Sequence, residues 1–136
     1  MTFQNALSVA CAIIEKKGLF LAAKRGRSQS HTGFWEFPGG KIGPNESAES
    51  AVVREIREEL GGTIAVIRRL ESVTFEYPDK TVTLVPFVCD GSQSSFYLSE
   101  HEEIRWVDPT SSETLAWLPP DAVILAAYKR SLETKK

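Results

Sequence analysis

Residues 39–62 read GGKIGPNESAESAVVREIREELGG, and five of the ten positions before the closing glycine pair are charged. From residue 46 to residue 60, Val52, Ile56 and Leu60 recur at four-residue steps. That spacing predicts a helix laying one apolar stripe on a sheet, stopped by Gly61 and Gly62. At about 100° per residue, Glu58 falls roughly 60° to one side of Glu55 and Glu59 roughly 40° to the other. The apolar stripe occupies the neighbouring arc, so the three carboxylates border the buried face and line a groove beside the sheet. A solvated face is the bland reading of a charge run, but the spacing opposes it. Each i,i+3 or i,i+4 like-charge pair destabilises an isolated helix by about 0.2–0.5 kcal/mol, and the C-terminal end of the helix dipole disfavours anions as well. Arg54 is placed to relieve part of this through Glu58. A divalent cation would relieve the rest, and carboxylate oxygens are hard ligands that suit magnesium, with manganese as the alternative, over zinc. Upstream, Gly39 and Gly40 turn the chain with a bare backbone that can approach phosphate or metal closely. Lys41, between that turn and the helix, adds a cation suited to phosphate.

On the N-terminal side, residues 7–14 and 19–25 are apolar, strand-length runs joined by EKKG, which predicts a hairpin with Gly18 at its turn. The polar stretch GRSQSHTGF, residues 26–34, reads as a loop that keeps His31 at the surface and delivers Trp35, Glu36 and Phe37 to the edge of the core. Beyond the helix, TIAVIRRLESV alternates as a half-buried strand and TVTLVPFVCD forms another after the YPDK turn. Pro86 demotes that last run to an edge, a bulge or a strand end. Residues 104–107 are a short strand candidate, and residues 108–120 are a Ser- and Pro-rich connection. Asp121 then opens a final amphipathic helix through Ile124, Leu125, Tyr128 and Leu132. Strand, helix, strands, helix predicts an α/β fold with helices against the faces of a mixed sheet.

The 136 residues are 42% hydrophobic and 25% charged with a net charge of -2, which predicts one globular domain over residues 1–136 and argues against a broad nucleic-acid surface. The opening MTFQNALSVACAIIEKKG has an apolar run that stops at Glu15, with neither a basic leader nor a small-residue cleavage site. A cytoplasmic protein without a membrane partner is expected. Cys11 and Cys89 lie in apolar strand-like runs outside any CxxC or Cys/His cluster, so both are expected as buried thiols.

Gly40, Glu46 and the run from Arg54 through Glu55, Ile56, Arg57, Glu58, Glu59 and Leu60 to Gly61 resemble the signature box of the Nudix hydrolases at every fixed position. Gly62 departs from it, standing where the family usually has an aliphatic residue, and is expected to loosen the helix exit. WEFPGGK at 35–41, FEYPDKTVTL at 75–84 and LSEHEEIRWV at 98–107 resemble the MutT-like nucleoside triphosphate pyrophosphohydrolases within that family. The resemblance implies a Nudix-type α/β/α sandwich around a mixed central sheet and metal-dependent hydrolysis of a nucleoside triphosphate to the monophosphate and pyrophosphate. It implies that Glu55, Glu58 and Glu59 hold Mg2+ or Mn2+ with the Gly39 carbonyl, and that Glu46 and Arg54 brace those acids. Arg54, Glu55 and Glu58 become the catalytic set, and which glutamate is the base stays open. Glu100 becomes a further metal ligand or base from a loop, with a solvated loop acid as its alternative.

Arg25, Phe37, Lys41, Lys80 and Asp121 are implied to bind substrate. Each of three has a structural alternative: Arg25 ends a strand, Phe37 is core, and Asp121 caps the last helix. The implied substrate is a small nucleotide and not a nucleic acid polymer, handled by a monomer or homodimer. Sanitising oxidised nucleotides such as 8-oxo-dGTP is the leading expectation, with CTP, dCTP or a modified cytidine nucleotide as runner-up. A nucleotide-sensing module without turnover is the rival of another class, disfavoured by the intact acidic set.

Overall fold

The computed structural model describes residues 5–27, 30–97 and 101–133. Strands β1 (Asn5–Lys16) and β2 (Leu19–Lys24) form the expected hairpin. Lys17 and Gly18 turn it with positive φ of 54° and 79°, the pair of conformations a two-residue hairpin loop requires. The hairpin pairs at Glu15↔Phe20 and Lys16↔Leu19, and residues 35–41 run between its two arms. Strand β3 (Trp35–Glu36) pairs with β2, and β4 (Gly39–Lys41) pairs with β1. The Gly39–Gly40 segment is therefore strand and not the turn expected from sequence. Its glycines answer close packing: a Cβ on Gly39 would come within 2.7 Å of the Cys11 Cα, and one on Gly40 would collide with the Glu55 carboxylate.

Strand β7 (Lys80–Asp90) runs parallel to β1 from Asn5↔Lys80 to Glu15↔Asp90. Its other side is covered end to end by β5 (Ala65–Arg69) and β6 (Val73–Tyr77), both antiparallel, and β8 (Glu103–Val107) pairs with β2. The sheet is mixed, as expected. Pro86 does not mark an edge or an end, because it is buried within β7 with strands on both sides. The missing N–H is accommodated by a break in the partner: β5 and β6 are separate strands, and between them Leu70 donates to the Pro86 carbonyl at 2.9 Å.

Period-two alternation sends Ala10, Ala12 and Ile14 of β1 to one face and Cys11 and Ile13 to the other. Helix α1 (Ala48–Leu60) buries Ala51, Val52, Ile56 and Leu60 on the first face, and α2 (Pro119–Glu133) buries Ile124, Leu125 and Tyr128 on the second. Burying side chains such as Val52, Ile56 and Leu60 contributes about 1.5–3 kcal/mol each. This is the α/β/α sandwich. Cys11 and Cys89 are buried free thiols, as expected. No helix among the described residues is long and apolar enough to cross a membrane.

The start of α1 differs from expectation by two residues. Ser47 is its N-cap, accepting from the Ser50 N–H at 3.0 Å, so Glu46 stands just outside the helix. At the other end Gly61 adopts φ 70° and donates to the Arg57 carbonyl. Gly62 does not loosen this exit. A Cβ there would strike the Phe96 ring and lie 2.8 Å from the Ser95 carbonyl oxygen, so Phe96 fills the space an aliphatic side chain would take.

Candidate active site

Arg54 organises the acidic face of α1. Its Nε and Nη2 donate to the two Glu46 oxygens at 2.7 and 2.9 Å, and its Nη1 reaches Glu55 at 2.9 Å and Glu58 at 3.0 Å. Nη2 also donates to the Lys41 carbonyl at 3.1 Å, tying the helix to β4. Because Glu46 lies outside the helix, its carboxylate can face Arg54 side-on and still accept the Gly43 N–H at 2.8 Å. Those bonds, Arg54 first, hold the Glu46 carboxyl down at about 2. Arg54 thus relieves more repulsion than the helical wheel suggested, through two acids of the stripe, Glu55 and Glu58, instead of one.

Gly39 and Glu59 lie in the wall of a neighbouring cavity of about 230 Å³. Arg25, Glu36, Phe37, Tyr77 and Asp121 line the same cavity, with Cys11 among the apolar lining. Asp121 is 3% exposed and stands in the first turn of α2, whose hydrogen bonding already begins with Ala122 donating to Leu118. It is therefore not the N-cap. The two prolines before it supply no N–H groups that need capping, and its Oδ1 accepts instead from the Phe37 N–H at 2.9 Å. Burial pushes the Asp121 carboxyl up to about 7, and the nearby charge of Glu36 pushes the same way against the Phe37 N–H and Arg25.

Arg25 sits one residue past β2 and donates to Glu36 Oε1 at 2.8 Å and to the Ser30 carbonyl at 2.5 Å. Phe37 joins both alternatives raised by sequence: it lines the cavity, and its ring packs on Phe20 and Trp117 in the core. Lys41 and Lys80 are not part of the cavity wall. Lys41 is exposed, and Lys80 lies over the Tyr77 ring at 5.7 Å. His31 is exposed, as expected. Glu100 lies outside the described residues. Among the described residues no three His, Cys, Asp or Glu side chains converge on a common point. Arg54 accounts for part of that geometry, since it draws Glu55 and Glu58 to itself.

Sequence reasoning missed Glu36, His101 and Tyr77. The signal for Glu36 was an acid between two core aromatics, Trp35 and Phe37, a placement that demands a cationic or donor partner. The partners turn out to be Arg25 and His101, the latter at 2.9 Å.

The profile of the NUDIX domain family matches residues 4–135. The CTP pyrophosphohydrolase of Escherichia coli (strain K12) is 33% identical over 122 residues, 90% of each chain. The 8-oxo-dGTP diphosphatase of Proteus vulgaris is 36% identical over 89 residues, 65% of this chain and 80% of that protein. The crystal structure of the MutT protein from Methanosarcina mazei Go1 superposes with a TM-score of 0.80 at 31% identity, covering 100% of both chains. With its acidic helix face set beside that cavity, the chain belongs to the NUDIX family and is a MutT-like hydrolase of nucleotide pyrophosphate bonds.

Proposed function

We propose that the chain hydrolyses a nucleoside triphosphate between its α and β phosphates, releasing the nucleoside monophosphate and pyrophosphate, with magnesium on the α1 face. The observation that carries this reading is the shared wall: Gly39 and Glu59 line the same cavity as Arg25, Phe37 and Asp121. The donor set fits a hard cation. Glu55, Glu58 and Glu59 offer carboxylate oxygens, and the bare Gly40 Cα leaves the cradle that Glu55 fills. A divalent ion bound there supplies charge neutralisation at the phosphates and a lowered pKa for the attacking water.

The remaining work falls to the protein. Arg54 holds Glu55 and Glu58 in place, and Glu55, with only 17% of its side chain exposed, takes the proton of the attacking water. Glu100 adds a ligand or an alternative base. Lys41 and Lys80 meet the phosphates from outside the cavity, while Arg25, Phe37 and Asp121 hold the nucleoside. A protonated Asp121 donates to a ring carbonyl such as O6 of 8-oxoguanine, which makes 8-oxo-dGTP the first substrate. The second reading is a cytidine triphosphate, supported by the E. coli relative and by the ionised acid's fitness to accept from a cytosine amino group.

A panel of unmodified, oxidised and methylated nucleoside triphosphates, assayed with Mg2+ in oxygen-18 water, tests both levels. The expected products are a monophosphate and pyrophosphate, with kcat/KM highest for 8-oxo-dGTP. A nucleoside diphosphate with free phosphate would sink the proposed bond, and absence of turnover across the panel would favour a sensing module.

A further inference from the structure

His101 has no part in the chemistry above, yet it is 5% exposed, one of three buried polar residues among those described, with Ser112 and Asp121. Burying an imidazole is costly unless it is bonded. Its Nε2 lies 2.9 Å from Glu36 Oε2, and its Nδ1 has no hydrogen-bond partner among the described residues. Facing a carboxylate that can only accept, Nε2 is assigned as the protonated nitrogen. Glu36 spends its other oxygen on Arg25 Nη1 at 2.8 Å. The three side chains form a line, His101 to Glu36 to Arg25, that ends at the cavity wall.

The line restricts what Arg25 can do. A guanidinium and a carboxylate left to themselves frequently close into a bidentate pair. Here Glu36 meets His101 through Oε2 and Arg25 through Oε1 alone, while Ser30 takes the Arg25 Nε at 2.5 Å and its Nη2 at 3.2 Å. Removing the His101 donor frees Oε2 to capture a second Arg25 N–H and rotate the guanidinium away from the cavity. We propose that His101 is a positioning residue for nucleotide binding: it holds Glu36 in place so that Glu36 presents Arg25 to the nucleotide in the cavity. This rests on the proposed nucleotide reading of that cavity.

The test compares two amides at position 101 in the full chain with Mg2+ and the best nucleoside triphosphate of the panel. The Gln side chain carries its N–H where Nε2 stands, whereas the shorter Asn carries it near Nδ1, out of reach of Glu36. His101→Asn is expected to raise KM about tenfold with kcat within about twofold, a cost of about 1.4 kcal/mol in binding. His101→Gln is expected to restore KM to within about threefold of wild type. A folded Asn variant with wild-type KM, or Asn and Gln variants that behave alike, would overturn the proposal. If the Asn variant does not fold, Glu36→Gln replaces it. A Gln has one acceptor oxygen for two facing donors, so KM must again rise with kcat kept, and an unchanged KM overturns the proposal. A wild-type protein that turns over no nucleotide removes the nucleotide reading and this proposal together. Wild-type turnover with an indifferent position 101 removes this one alone.

Discussion

The face of α1 and the first turn of α2 hold the same functional group in opposite surroundings. Along the α1 face exposure runs from 17% of the Glu55 side chain to 54% of Glu58, and one arginine gathers these two together with Glu46 just outside the helix. There the carboxyl of Glu46 is held at about 2, chiefly by the Arg54 hydrogen bonds. Asp121 is sealed against Phe37 with no arginine directly bonded to it among the described contacts, and burial lifts it to about 7. Exposure lets negative charge accumulate where a cation can use it. Burial makes the protonation state itself the variable, which suits an atom that must donate to one base and accept from another.

The largest expected effect separates the two regions. Glu55→Gln keeps the side-chain shape and leaves an oxygen for the Arg54 bond, yet removes the charge and the proton acceptor. kcat is expected to fall by about 10²–10⁴-fold with the circular dichroism spectrum unchanged. Wild-type turnover in that variant would take Glu55 out of the mechanism and move the base to Glu58, Glu59 or Glu100.

The acids of α1 were legible because helical periodicity alone puts Glu55, Glu58 and Glu59 beside the buried stripe. Their relation to Glu46 was less so, because Ser47 starts the helix two residues later than the pattern suggests. Pro86 misled for a related reason: the break that accommodates it lies in the partner strands, not in its own. Glu36 signalled only the need for a partner; that the partner includes His101 was invisible, because 65 residues separate a pair that only the fold brings to 2.9 Å. Gly62 was visible as a departure, but its cause, the Phe96 ring, lies in a distant segment.

That last contact sharpens the contrast by separating the packing of α1 from its chemistry. Gly62→Val forces a side chain into the space of Phe96 and is expected to destabilise the fold by about 1–3 kcal/mol, with kcat within about twofold. Phe96→Ala costs stability by itself, and in its background the Gly62→Val penalty should shrink to the part due to the Ser95 carbonyl oxygen. Chemical denaturation of the four proteins in this cycle measures it. Independent, additive losses would mean that Phe96 is not what excludes an aliphatic residue.

The smallest effect is the most discriminating, because it concerns the proton on Asp121. Asn at this position offers a donor and an acceptor at every pH, whereas the acid offers a donor only while protonated. Asp121→Asn is expected to change the ratio of kcat/KM for 8-oxo-dGTP over dCTP by at least about tenfold, the equivalent of about 1.4 kcal/mol. In the wild type that ratio should fall as pH rises through about 7, where the buried carboxyl loses its proton, and in the variant it should stay flat. Stability supplies an independent check with a definite sign. The folded carboxyl titrates near 7 and the unfolded one near the ordinary 3.8, so between those values the native Asp121 binds more proton and its contribution to stability falls with rising pH. The Asn variant lacks that loss, so its melting temperature relative to wild type should climb from about pH 4 to about pH 7 and level off above. A climbing stability difference with a fixed substrate ratio would mean that Asp121 titrates in the fold but does not read the base. If neither quantity moves with pH, Asp121 is ionised throughout, and the comparison between a charged α1 and a proton-switched α2 fails at its second half.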